Sequence, residues 1–175
     1  DLYKMRLDGS GLTRLTREPG YDGGAFFSAD GKRIVYRASR PAPGAEEDEY
    51  RALLRQKLVR PTRLEIWVMN ADGSNKRMIL HNGATNFAPS WHPDGRRIIF
   101  SSNMDDWHED IKKFGRKFEL YLINKDGTGL ERITYNTVFD SFPMFSPDGR
   151  KLVWASNRNP LRPRDTDIFI ADWVE

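Results

Sequence analysis

Three polar residues recur in register along the chain: Asp22, Asn86 and Asp140, separated by 64 and 54 positions. They stand in the phrases 21-YDGG-24, 86-NFAP-89 and 140-DSFP-143. Were Asp22 and Asp140 to face one another, they would form a carboxylate pair of the kind that hydrolyses glycosides. The plainer reading is that all three cap turns, because short Asp and Asn side chains bond their own backbone. With Arg40, Asn103 and Arg158 they make a candidate binding set. A second cluster, 105-DDWHEDIKKFGRK-117, crowds Asp105, Asp106, His108 and Asp110 around Trp107. Carboxylates with one imidazole can hold Ca²⁺ or Mn²⁺, yet the order lacks the alternating acids and the glycine of an EF-hand loop. It reads as a solvated acidic loop in which Trp107 and His108 are candidate partner contacts. His81, His92 and His108 are the residues whose type could serve as a general base near neutral pH, and His92 fills a slot that Ser28 and Ser146 occupy elsewhere. No Gly-x-Ser-x-Gly elbow, His-Glu-x-x-His pair or phosphate-cradling glycine loop is present. The expectation is a non-enzymatic chain without a cofactor.

What must position these residues is a repeat. The phrase 145-FSPDGRKLVWASN-157 has near copies at 27-FSADGKRIVYRAS-39 and 91-WHPDGRRIIFSSN-103. A companion phrase stands at 1-DLYKMRLDGSGLTRLT-16, 65-EIWVMNADGSNKRMIL-80 and 119-ELYLINKDGTGLERIT-134, with a shortened fourth at 167-DIFIADW-173. Gly9 to Gly31, Gly73 to Gly95 and Gly127 to Gly149 are each 22 apart, so the paired phrases form one structural unit. Units lie at about 1–40, 64–104 and 118–158, with a partial one at 167–175. Two insertions separate them, 41–63 and 105–117.

In the first phrase each Asp-Gly is followed by basic residues and a β-branched or aromatic run, 33-RIVY-36, 97-RIIF-100 and 151-KLVW-154. That is a strong hairpin signal, since glycine tolerates the positive φ of a tight turn. Every unit is therefore two hairpins, or four antiparallel strands. Fanning such units around an axis buries both faces of each sheet. A sandwich of short strands gives no reason for a fixed repeat with paired turns. The units resemble the TolB-like β-propeller repeat, a relative of the WD-repeat. The match runs through Glu65–Ser74 with Pro89–Phe100, and Glu119–Thr128 with Pro143–Trp154, while the first unit departs with Ala25 and Ala29 in place of two prolines. The resemblance implies an all-β propeller, in a family of bacterial periplasmic or secreted proteins that bind other proteins or accompany hydrolases and lyases.

Strand counting gives about three blades, a partial ring of a six- or seven-bladed propeller. The missing blades would come from the rest of a longer chain or from self-association. All six Asp-Gly turns should share one side of the disc, and the insertions and blade connections the other, where binding loops belong. The stretch 45-AEEDEYRALLRQKLV-59 is expected to be an amphipathic helix packed by its apolar side on the disc.

Composition sets the remaining bounds. The 175 residues are 38% hydrophobic, with ten Phe, six Tyr and five Trp as core material. The 28 basic and 25 acidic residues give a net charge of +3 without a basic stripe, so nucleic acid is not an expected partner. No apolar run approaches the roughly 20 residues of a membrane span, and no signal peptide opens the chain. Without cysteine, disulfides and thiolate metal sites are excluded. The expected function is a scaffold for a protein or peptide. The alternative is the propeller of an exported hydrolase or polysaccharide lyase.

Overall fold

Alternation of apolar side chains decides the architecture. In the strand Glu65–Asn70 (β5), Ile66 and Val68 point to one side and Trp67 and Met69 to the other, and both pairs enter a core. A sheet that buries both faces needs a neighbour on each. The computed structural model supplies them as a fan of antiparallel sheets, and it describes residues 1–60, 63–106, 117–162 and 165–174.

An outer hairpin of Tyr3–Lys4 (β1) and Thr13–Arg14 (β2) comes first. Blade 1 follows in chain order as Asp22–Phe27 (β3), Arg33–Ala38 (β4), β5 and Arg77–Leu80 (β6). Blade 2 is Asn86–Trp91 (β7), Arg97–Ser102 (β8), Glu119–Asn124 (β9) and Glu131–Arg132 (β10). Blade 3 has three strands, Asp140–Phe145 (β11), Lys151–Ser156 (β12) and Asp167–Asp172 (β13). The fold is an arc of a β-propeller, as the repeat predicts.

Cores form between blades rather than within them. Between the outer hairpin and blade 1, Leu15 meets Ile34, Tyr36 and Met69. Between blades 1 and 2, Val35, Ile66 and Val68 meet Ile98, Phe100, Tyr121 and Ile123. Between blades 2 and 3, Ile99, Leu120 and Leu122 meet Leu152 and Trp154. Each seam buries large aliphatic and aromatic side chains, and this non-polar burial is the main stabilising term.

The glycines of the six Asp-Gly turns lie at positive φ, from 65° at Gly95 to 93° at Gly127, a region that other residues enter only at a cost. In the outer turns Asn70 N–H donates to Ser74 O, and Asp72 accepts from both the N–H and the hydroxyl of Ser74. In the inner turns the hydroxyls of Ser28 and Ser146 donate to Asp30 and Asp148. The Ser in one phrase and the Ser or Thr in the other are thus turn chemistry.

The insertion helix covers Ala45–Arg55 (α1), shorter than the predicted 45–59. It stops because Lys57 enters the left-handed region at φ 60°, with Leu58 N–H bonded to Leu53 O and Lys57 N–H to Leu54 O. Its apolar side is covered less than expected. Tyr50 and Leu53 are half-buried, the Tyr50 hydroxyl donating to Gly20 O, but Leu54 and Leu58 remain exposed. No helix among the described residues is long and apolar enough to cross a membrane.

Candidate functional site: the connection face

Each inner strand begins at the end of the fan where one blade passes to the next, and carries the same irregularity. Register shifts lie between Gly23 and Phe26, Phe87 and Ser90, and Ser141 and Met144. The bulged residues Gly24, Ala88 and Phe142 have φ of 59°, 50° and 55°. A bulge re-aims the strand, and at Phe142 it holds a large ring 56% exposed in a conformation that suits glycine.

Asp22, Asn86 and Asp140 precede these bulges. These residues are buried, at 6%, 0% and 0% exposure, so they turn into the protein rather than line an open channel. Asp22 pairs with Arg40 at 2.5 Å. Asp140 pairs with Arg158 and accepts from Asn136 Nδ2 at 2.6 Å. Asn86 donates to Leu64 O at 2.8 Å and to Asn82 Oδ1 at 2.8 Å. Asn103 accepts from Thr85 N–H through its amide oxygen. One carboxylate oxygen of each aspartate, Asp22 Oδ2 and Asp140 Oδ1, is buried without a hydrogen-bond donor.

Glutamates at the head of the third strand of blades 1 and 2 extend this polar layer. Glu119 accepts from Arg132, the Thr134 hydroxyl and Asn136 N–H. Glu65 accepts from Asn86 and from the Gly83 and Asn82 amides, and lies against His81 at 3.2 Å. Burial pushes the Glu65 carboxyl up from the usual range, against the opposing pull of those amides and His81. The chain Glu119, Asn136, Asp140, Arg158 therefore crosses from blade 2 into blade 3. The sequence signal for it is an Asn four residues before the inner-strand heads of blades 2 and 3, Asn82 before Asn86 and Asn136 before Asp140, where blade 1 has Glu18 before Asp22.

In the second insertion, Asp105 accepts from the Tyr121 hydroxyl at 2.8 Å and pairs with Arg132 at 2.6 Å. Burial, then this hydrogen bond, raises the Tyr121 pKa. Asp106 sits 4.0 Å from Lys117. Trp107, His108 and Asp110 lie outside the described residues. Among the described residues no three His, Asp or Glu side chains gather as metal ligands.

Sequence reasoning missed an aromatic patch on this same face. Phe87 contacts Phe118 edge-on at 5.0 Å, Phe142 at 5.6 Å and Phe139 at 6.2 Å between ring centroids. Arg37 covers the other side of Phe87 at 5.8 Å and donates to the Tyr21 hydroxyl at 3.1 Å. Its Nε is buried without an acceptor. Phe118 is buried, Phe87 and Phe139 are half-buried and Phe142 is exposed, so the patch is anchored beneath and open above. The repeat hid it, because Phe87, Phe139 and Phe142 stand where other units carry Gly or Ser, Tyr or Thr, and Gly or Ala. Chemically the patch offers apolar rings beside one cation, which suits an apolar side chain next to an acid.

No protein family model matches the chain. It is 25% identical over 180 residues to a TolB homologue of Chlorobium luteolum, covering 98% of this chain and 31% of that protein. It is 23% identical over 149 residues to dipeptidyl-peptidase 5 of Porphyromonas endodontalis, covering 83% of this chain and 18% of that protein. The chain thus spans a third or less of these curated relatives. Among solved structures it matches a putative TolB from Agrobacterium tumefaciens with a TM-score of 0.68 and 25% identity, over 97% of this chain and 52% of that one.

Proposed function

Because its repeats belong to the TolB-like β-propeller family, we propose that this chain is a recognition scaffold that binds a protein or peptide segment on its connection face and performs no chemistry there. The observation that carries the reading is the pairing of roles on that face. Its two aspartates are buried and ion-paired, Asp22 with Arg40 and Asp140 with Arg158, out of reach of a substrate, while its exposed surface includes the ring of Phe142 beside Phe87, Phe139 and Arg37. A general base needs a free lone pair within reach of substrate; an anchor needs accessible apolar area and few charges. The ligand that fits is an extended segment placing an aromatic or aliphatic side chain on the phenylalanines and a carboxylate near Arg37. The same reading puts the chain in the periplasm or outside the cell, with further blades completing the ring.

Panning the chain against a random peptide library tests this. Peptides combining an apolar residue with a neighbouring acid are expected to enrich on the native chain. They should be lost on Phe142→Gly, which removes the exposed ring but keeps the bulge conformation that Gly24 already adopts in blade 1. Enrichment indifferent to Phe142→Gly and Arg37→Ala overturns the site. Turnover of a peptide or uronate polymer that stops in Asp140→Asn overturns the non-catalytic reading in favour of a hydrolase or lyase.

A further inference from the structure

Glu65, at the head of β5, is a buried carboxylate that the aromatic patch does not use. It lies against the connection from blade 1 to blade 2, where the sequence reads 81-HNGATN-86. Asn82-Gly83 is the chain's one Asn-Gly pair. An asparagine before glycine can lose its side-chain amide to its own backbone. Ring closure between Cγ and the next peptide nitrogen is intramolecular, and glycine puts no side chain in its way.

The parts of that reaction are in place. The nucleophile, Gly83 N–H, donates to Glu65 Oε1 at 3.1 Å, within the reach of a general base. The electrophile is folded over it: Asn82 Oδ1 accepts from the Ala84 N–H at 3.1 Å, which curls the side chain across the Gly83 peptide. The same oxygen accepts from Asn86 Nδ2 at 2.8 Å, so two donors meet the charge that develops there when Cγ is attacked. The leaving nitrogen is held loosely, Asn82 Nδ2 lying 3.4 Å from Asn86 Oδ1 and 3.8 Å from Met104 Sδ, and Asn82 is open to water. Burial makes Glu65 a stronger base than an ordinary glutamate, against the pull of these amides and of His81 at 3.2 Å. The connection from blade 2 to blade 3 repeats the turn without the reaction. Asn136 Oδ1 accepts from Val138 N–H at 2.9 Å, and Glu119 takes the Asn136 N–H at 2.6 Å. The next residue is Thr137, whose branched Cβ crowds the attack.

We propose that Asn82-Gly83 is a self-modification site, at which the folded chain converts Asn82 to aspartate or isoaspartate with Glu65 as the base. Gly83 N bonds to Asn82 Cγ while its proton passes to Glu65. The Cγ–Nδ2 bond then breaks, the proton returns to the departing nitrogen, ammonia leaves and a succinimide remains. Water opens either carbonyl of that ring, giving aspartate or isoaspartate. The reaction happens once per chain and turns over no ligand. It sets a new carboxylate beside Glu65 on the connection between blades.

Ageing the 175-residue chain at neutral pH tests the site, with mass spectrometry of the tryptic peptides that carry Asn82 and Asn136 as readout. Asn82 is expected to convert about tenfold faster in the folded chain than in the chain unfolded in guanidinium chloride, with Asn136 unchanged over the same time. Hydrogen bonds that merely restrain the loop predict the reverse order, and conversion no faster in the folded chain overturns the proposal. Glu65→Gln keeps an acceptor for the Gly83 N–H and loses the base. The folded variant should fall to the unfolded rate, and an unchanged rate overturns the proposal. Should that variant not fold, the pH dependence of the native chain decides. With Glu65 as base the rate levels off once that carboxylate has ionised, whereas a rate proportional to hydroxide up to alkaline pH overturns the proposal.

Discussion

The two faces of the fan are made from one repeat and differ in how far they follow it. On the turn face each outer Asp-Gly does the same thing: Asp8, Asp72 and Asp126 accept from the N–H and hydroxyl of Ser10, Ser74 and Thr128. On the connection face equivalent positions diverge, Asp22 with an arginine, Asn86 with a glutamate and an asparagine, and Asp140 with an arginine and an asparagine. The repeating face solves a local problem, closing a hairpin, which has the same solution in every blade. The diverging face carries buried charge, bulged strands and exposed rings, features that a hairpin does not require. Departure from the repeat therefore marks where something other than folding has shaped the sequence.

The largest expected effect tests whether the diverging pairs are structural. Arg158→Ala leaves Asp140 buried with Asn136 as its side-chain donor. Removing one partner of a buried pair costs about 3–5 kcal/mol. Arg158 is 30% exposed, so water replaces part of what is lost and about 2–4 kcal/mol is expected. Lys151→Ala breaks a pair whose side chains are 53% and 79% exposed and should cost under about 1 kcal/mol. Urea midpoints at unchanged slope measure both. Equal losses would mean that the connection-face charges are as solvated as those on the surface.

A smaller effect separates two turns of the uniform face. Gly95 and Gly127 both sit at positive φ, yet a Cβ at Gly95 meets nothing within 4 Å while one at Gly127 meets Ile79 O at 2.7 Å. Gly95→Ala should cost about 1–2 kcal/mol for its conformation alone. Gly127→Ala must also push the backbone of blade 1 away, adding at least about 1 kcal/mol. Similar thermal midpoints for the two would show that the seam yields.

The sequence carries the turn face almost whole, and the reason is locality. An Asp-Gly with a Ser or Thr at a fixed offset specifies its own hydrogen bonds, so phrases such as 27-FSADG-31 predict both the hairpin and its hydroxyl contact. Blade order was legible too, because alternation in 65-EIWVMN-70 demands a neighbour on each side. Pairings that cross between phrases were less so. Asp22 and Arg40 stand 18 apart, as do Asp140 and Arg158, and registration alone groups them without saying that they neutralise one another. The aromatic patch was illegible because Phe87, Phe118, Phe139 and Phe142 come from non-equivalent positions in neighbouring blades. Helix α1 ran short for a local reason that composition does not reveal, a lysine in a left-handed cap.

The smallest effects, residue by residue, are electrostatic, and they oppose one another across the two faces. Hydrogen bonds hold all six turn aspartates below their ordinary range, the Ser28 hydroxyl first for Asp30 and the Ser10 N–H first for Asp8; at Asp94 burial opposes, and the Arg96 N–H with the Arg97 guanidinium prevails. Between their folded and unfolded pKa values the unfolded chain binds more protons, so their stabilisation is complete above the unfolded value of about 4 and fades as pH falls through the folded ones. Glu65 has the opposite sign. Burial raises its pKa, so the folded chain binds the extra proton, and its contribution is present below the ordinary glutamate value and lost as pH rises through the raised one. Stability should therefore climb from acid pH and then give some back above the glutamate range. Glu65→Gln should remove that second, falling limb and leave the acid limb intact, whereas Asp72→Asn should shallow the acid limb alone. Urea midpoints across the acid to neutral range decide it, and a falling limb that survives in Glu65→Gln would assign the loss to another buried group.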